Sequence, residues 1–158
     1  MNANKLIELD KLPAILRGRR VVLANGCFDM LHVGHVRYLE DARRMGDALV
    51  VAINSDESVR KLKGAGRPIL CEAERVSLVS ALRCVDYVVV FSSPDVTPVI
   101  KTLRPAIHAN GSDYTTDSVP ERDTVLACGG AVAIAGDPKD HSTRDIIQKI
   151  VKAYRRPS

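Results

Sequence analysis

His32 and His35 stand three residues apart, with Val33 and Gly34 between them. On a helix that spacing puts both imidazoles on one face. Gly34 removes a side chain between them, so a bulky anion can come close to the backbone. A helix start at residue 32 or 33 would add unbonded N–H groups and partial positive charge. Two imidazole donors, a glycine and a helix end together make a phosphate site. Upstream, Gly26 permits a tight turn and lets a nucleotide lie along the chain. The turn Asn25-Gly26-Cys27-Phe28-Asp29 is not G-x-G-x-x-G, so a dinucleotide fingerprint is not supported. The competing readings are a pair of ordinary helix histidines and a zinc site. Zinc is disfavoured because the other histidines, His108 and His141, fall at distant strand and loop positions. Cys27, Cys71, Cys84 and Cys128 form no C-x-x-C pair and match no common zinc spacing.

Such a site needs a scaffold, and the pattern supplies one. Apolar, β-branched runs at 20–24, 48–54, 86–91, 106–109 and 131–135 read as strands. Helical periodicity occupies 33–45, 55–62, 72–83, 95–103, 120–128 and 143–154. In the last of these, Ile146, Ile147, Ile150 and Val151 form an apolar stripe, expected to serve the core. Alternating strands and helices predict an α/β fold, a doubly wound five-stranded parallel sheet with helices on both faces; among the orders open to such a sheet, 3-2-1-4-5 is the one expected. Ligands in such folds bind beyond the C-terminal strand ends, at the switch point, which is where His32 and His35 fall.

The chain has 158 residues, 46% hydrophobic and 27% charged, which predicts one domain spanning 1–158 with its core at about 20–150. No apolar run approaches the roughly 20 residues of a membrane span, and no signal-like stretch opens the chain, so a cytoplasmic protein without a membrane partner is expected. The net charge of +4 is dispersed, there is no Trp and aromatics are 4%, which argues against a nucleic-acid partner. Small anionic substrates explain the charge as well.

The residues Asn25 to His35 resemble the HxGH nucleotidyltransferase superfamily, in particular its cytidylyltransferase-like branch. The likeness continues through Asn54-Ser55-Asp56, Lys63-Gly64, Arg67-Pro68, Glu74-Arg75, Val85-Asp86, Gly111 with Asp113-Tyr114, Gly129-Gly130 and Ser142-Thr143. That order is similar to the bacterial D-glycero-β-D-manno-heptose 1-phosphate adenylyltransferases, in a free-standing form without a kinase domain. The resemblance implies AMP transfer from ATP to the heptose phosphate, with release of pyrophosphate, for lipopolysaccharide core synthesis. It implies His32, His35 and Lys63 as catalytic residues. Gly26, Cys27, Phe28, Gly34, Lys61, Gly111, Asp113, Tyr114, Ser142 and Thr143 would bind nucleotide. Asp29, Asn54, Asp56 and Arg67 would bind the acceptor. No dedicated metal ligands are expected; Mg²⁺ would arrive with ATP. A homodimer is implied as well.

The pattern departs from the family in places. Asn110-Gly111-Ser112-Asp113 stands where Lys-Gly-Gly-Asp is common, Pro120-Glu121 replaces a glycine-containing turn, and Asp140-His141 precedes Ser142. Several roles stay open. Asp29 could orient the turn or touch the acceptor, and Arg75 could contact phosphate or form a salt bridge. Ser142 and Thr143 could cap a helix, present N–H groups to phosphate, or both. Alternative substrates are glycerol 3-phosphate with CTP, FMN, or pantetheine phosphate. A different class of reading is a non-catalytic nucleotide-binding module.

Overall fold

The computed structural model describes residues 5–138 and 141–155. Asp140, one of the departures noted above, lies outside them. Among the described residues five parallel strands form one sheet: β1 (Val21–Gly26), β2 (Ala48–Asn54), β3 (Tyr87–Phe91), β4 (Ile107–Gly111) and β5 (Ala131–Ala135). Their order is β3-β2-β1-β4-β5, the order expected for the sheet. The helices are α1 (Leu12–Ile15), α2 (Val33–Arg44), α3 (Asp56–Lys63), α4 (Glu72–Ala81), α5 (Thr97–Leu103), α6 (Arg122–Ala127) and α7 (Thr143–Tyr154).

Strand alternation divides the core in two. Val22, Ala24, Leu49, Val51 and Ile53 face Leu39 and Ala42 of α2 and Val76 and Val79 of α4. Val21, Leu23, Val50 and Ala52 face Leu12 of α1, Leu16, Val99, Ile100 and Leu103 of α5, and Val125 of α6. Interior strand β2 is buried along its whole length, so its ALVVAIN run is continuously apolar up to Asn54. At about 1.5–3 kcal/mol per buried aliphatic side chain, these two layers hold the sheet whose strand ends carry the site.

Several boundaries differ from the pattern-based reading for local reasons. The α5 helix starts at Thr97 rather than at residue 95, because the Asp95 carboxylate accepts from the Thr97 N–H at 2.8 Å and closes a turn first. Likewise α4 ends at Ala81, since Leu82 is extended, with ψ 131°. Strand β4 runs on to Gly111, paired with Ala135. Leu12 and Leu16 are buried in a short N-terminal helical turn that the periodicity did not reveal. The largest correction concerns α7. Its stripe does not enter the core: no α7 residue is buried, and Ile150, Val151 and Tyr154 are exposed.

At the switch point β1 and β4 separate. Their ladder ends at Ala24 and Ala109. Tyr38 of α2 enters the gap and donates its hydroxyl to the Ala109 carbonyl at 2.8 Å. Burial raises the phenol well above its ordinary value, with the Asn25 backbone N–H working in the opposite direction, so it remains a protonated donor.

Candidate active site

The C-terminal strand ends open into a cleft of about 790 Å³. One wall is the β1–α2 turn. Phe28 holds a positive φ of 49° there, costly for a residue with a side chain, and is buried. Its ring folds back over Gly26: a Cβ on Gly26 would lie 3.2 Å from Phe28. The same ring leans on His35, with centroids 5.2 Å apart. His35 in turn stacks on His32 at 3.8 Å and accepts the His32 backbone N–H through Nδ1 at 3.3 Å. In a neutral imidazole that leaves the proton on Nε2, as a donor. His32 is the N-cap of α2, so the imidazole pair and the positive helix end serve one locus.

The opposite wall comes from the β4–α6 and β5–α7 connections. Ser112 donates to the Asp137 carbonyl at 2.9 Å and ties the two loops together. Gly136, with φ 85°, packs against the Tyr38 backbone, and its N–H donates to Asp41 of α2 at 2.8 Å. Ser142 caps α7 by accepting the Asp145 N–H at 3.1 Å. The cap sits beside the HxGH turn: a Cβ on Gly34 would meet the His32 ring at 3.0 Å and the His141 Cβ at 3.7 Å. Gly34 is therefore the point where α2 and the entry to α7 come together.

The third side is the loop after α3. Asp29 is almost fully buried, and both of its carboxylate oxygens are committed to that loop. Oδ1 accepts from the Ile69 N–H at 2.8 Å and the Leu70 N–H at 2.9 Å, and Oδ2 pairs with the Arg67 guanidinium. Asp29 thus orients the loop, and Arg67 is drawn into the same contact. Deeper still, Arg75 is completely buried on α4. It donates to the Cys27 carbonyl at 2.8 Å, the Asn54 carbonyl at 2.7 Å and the Leu70 carbonyl at 3.1 Å, and pairs with Asp56 at 2.8 Å. One guanidinium joins the ends of β1 and β2, the start of α3 and the loop before α4.

Of the residues singled out from the sequence, Gly26, Cys27, Phe28, Asp29, His32, Gly34, His35, Asn54, Lys63, Arg67, Gly111, Asp113, Tyr114, Ser142 and Thr143 all line the cleft. Asp56 and Lys61 do not. Asp56 turns inward to Arg75, and Lys61 pairs with Glu57 one helical turn back at 2.6 Å. Burial raises the Cys27 thiol above its ordinary value, which keeps it protonated. Asn25, Arg37, Tyr38, Gly136, Asp137, Pro138 and His141 also line the cleft and were given no site role from the sequence. The Gly136-Asp137-Pro138 turn after β5 was a readable signal of a strand-end loop. For Arg37 and Tyr38, one turn into α2, the sequence carried no signal.

His108 is fully buried on β4, and burial lowers its pKa to about 4. A folded-state value below the ordinary 6.5 means the folded protein binds fewer protons than the unfolded chain between those limits. The associated stability, about 3 kcal/mol, is complete above pH 6.5 and is lost as pH falls from there toward 4. Urea unfolding across that range should therefore show stability falling faster in the wild type than in His108→Gln. Parallel profiles would refute this assignment.

A doubly wound sheet with an HxGH helix start at its switch point defines a nucleotide-binding domain of the nucleotidyltransferase class. The profile of the cytidylyltransferase-like family matches residues 23–149, and the chain belongs to that family. It is 48% identical over 155 residues to the bifunctional protein HldE of Geobacter sulfurreducens, covering 95% of this chain and 32% of that protein. The chain thus spans about a third of the length of the curated relatives it matches. Among solved structures, the lipopolysaccharide core biosynthesis protein from Thermoplasma volcanium superposes with a TM-score of 0.63 at 32% identity, covering 74% of this chain and 94% of that one. Pantoate-beta-alanine ligase from Francisella tularensis, at 12% identity, 98% of this chain, 80% of that one and a TM-score of 0.61, shares the fold. Among the described residues no helix is long and apolar enough to cross a membrane.

Proposed function

We propose that this domain transfers AMP from ATP to D-glycero-β-D-manno-heptose 1-phosphate, giving ADP-heptose and pyrophosphate for lipopolysaccharide core synthesis in the cytoplasm. The observation that carries the reading is convergence: the HxGH pair, Lys63, the Gly111–Tyr114 loop and the capped start of α7 all meet on one cleft. The likeness to HldE and to a lipopolysaccharide core biosynthesis protein supports the acceptor.

An oxygen of the sugar phosphate attacks the α-phosphorus in line. The bond from that phosphorus to the bridging oxygen breaks, and pyrophosphate leaves. The nucleophile is already an anion, so no general base is needed, and catalysis reduces to positioning and charge stabilisation. His35 Nε2 and His32 donate to phosphate oxygens that gain charge. Lys63, at the end of α3, supplies a cation from the third side of the cleft. Among the described residues no three His, Cys, Asp or Glu side chains cluster as metal ligands. Mg²⁺ carried on the nucleotide phosphates would neutralise charge on the triphosphate and the leaving pyrophosphate.

The family profile is named for cytidylyl transfer, which keeps CTP as a second reading. Incubating the protein with each NTP and each candidate acceptor, and detecting pyrophosphate, separates the two. Release with ATP and the heptose phosphate is expected; release only with CTP and glycerol 3-phosphate would replace the reading. We also propose a homodimer, supported by the exposed apolar side chains of α7; a monomer by sedimentation equilibrium would remove that part.

A further inference from the structure

A buried hydrogen-bond chain under the cleft has no part in the scheme above. Beyond the last β1–β4 pair, strand alternation places Asn25 and Asn110 on the same sheet face as Leu23 and His108. His108 Nε2 lies 2.8 Å from Asn25 Oδ1, and His108 Nδ1 lies 3.5 Å from Asn110 Nδ2. The Asn110 amide nitrogen also donates to the His108 carbonyl at 3.4 Å, a contact only the nitrogen can make. That fixes the direction of the whole chain. Asn110 presents N–H to Nδ1, so Nδ1 is the acceptor and Nε2 carries the proton. Nε2–H then requires the Asn25 oxygen, not its nitrogen. The Asn25 carboxamide is thereby held with its oxygen toward the His108 ring, which leaves its NH₂ group outside this hydrogen-bond chain. Asn25 lines the cleft beside Gly26, at the end of β1 where the sheet changes direction.

We propose that Asn25 is a nucleotide-binding residue whose Nδ2 donates to a phosphate oxygen of the bound nucleotide, with His108 as the positioning residue that aims it. This rests on the nucleotidyl-transfer reading of the same cleft. A neutral carboxamide adds a directional donor beside the imidazole pair without adding charge. Because His108 is inaccessible to solvent, it acts only through Asn25 and Asn110.

The test compares wild type, Asn25→Ala, His108→Leu, His108→Gln and the double variant Asn25→Ala/His108→Leu. Calorimetric titration with Mg-ATP is paired with steady-state kinetics. Asn25→Ala is expected to weaken ATP binding about tenfold, by loss of one hydrogen bond to a charged group, and to leave the acceptor KM unchanged. His108→Leu is expected to reproduce much of that loss, and His108→Gln, whose amide can still donate to Asn25, to recover most of it. The double variant should be no weaker than Asn25→Ala alone, since both changes remove one interaction. Wild-type ATP affinity in Asn25→Ala, or additive losses in the double variant, would overturn the proposal even where the wild type turns over normally. A wild type that neither binds ATP nor releases pyrophosphate would overturn it together with the function it rests on. If His108→Leu does not fold, the Asn25→Ala titration decides alone.

Discussion

Replacing His35 with alanine is expected to lower kcat by about two to three orders of magnitude, the usual cost of removing one donor aimed at developing charge. His35 also has a structural task, because its Nδ1 receives the His32 backbone N–H at the start of α2. Alanine therefore removes a capping contact, for about 1 kcal/mol of stability, along with the catalytic donor. Asparagine separates the two effects. Its side-chain oxygen reaches roughly where Nδ1 stands, while nothing replaces Nε2. His35→Asn should unfold close to the wild-type urea midpoint yet lose turnover as His35→Ala does. Wild-type-like kcat in either variant would remove His35 from the chemistry.

The second large effect is on stability. Arg75→Met keeps the length and apolar stem of the side chain but deletes the guanidinium. The carbonyls of Cys27, Asn54 and Leu70 and the carboxylate of Asp56 then lose their common partner. Stripping one member from a buried charged network costs about 3–5 kcal/mol, a large share of the stability of a domain this size. Arg75→Lys should recover only part of it, since a single ammonium cannot reach in four directions as the planar fork does. Equilibrium urea unfolding checks both. A loss under about 1 kcal/mol for Arg75→Met would mean that the strand ends are held in place without Arg75.

The parts of this protein that were legible in the sequence are those written in short-range patterns. Continuous apolar runs identified all five strands, and the strand–helix alternation yielded the parallel, doubly wound sheet. The HxGH spacing located the helix start. Even Lys61 could have been placed correctly: it lies four residues after Glu57, the helical ion-pair spacing, and two residues from Lys63, which turns the two ammonium groups to different sides of α3. What escaped the sequence depends on tertiary register. Asp29 meets Arg67, and Arg75 meets Cys27, across separations that no local pattern encodes. His108 read as a distant strand histidine, because its bond to Asn25 exists only once β4 lies beside β1. The α7 stripe was misplaced for a related reason: amphipathic periodicity says that a helix has an apolar side, not what covers it.

The central claim is transfer of a nucleoside monophosphate to a phosphorylated acceptor, and the fate of the α-phosphate tests it most directly. The protein would be incubated with Mg²⁺, D-glycero-β-D-manno-heptose 1-phosphate and ATP radiolabelled at the α-position, and the products separated. The account predicts label in ADP-heptose, formed in equal amount to unlabelled pyrophosphate. Label remaining in ATP, or released as free AMP without a sugar nucleotide, would contradict it.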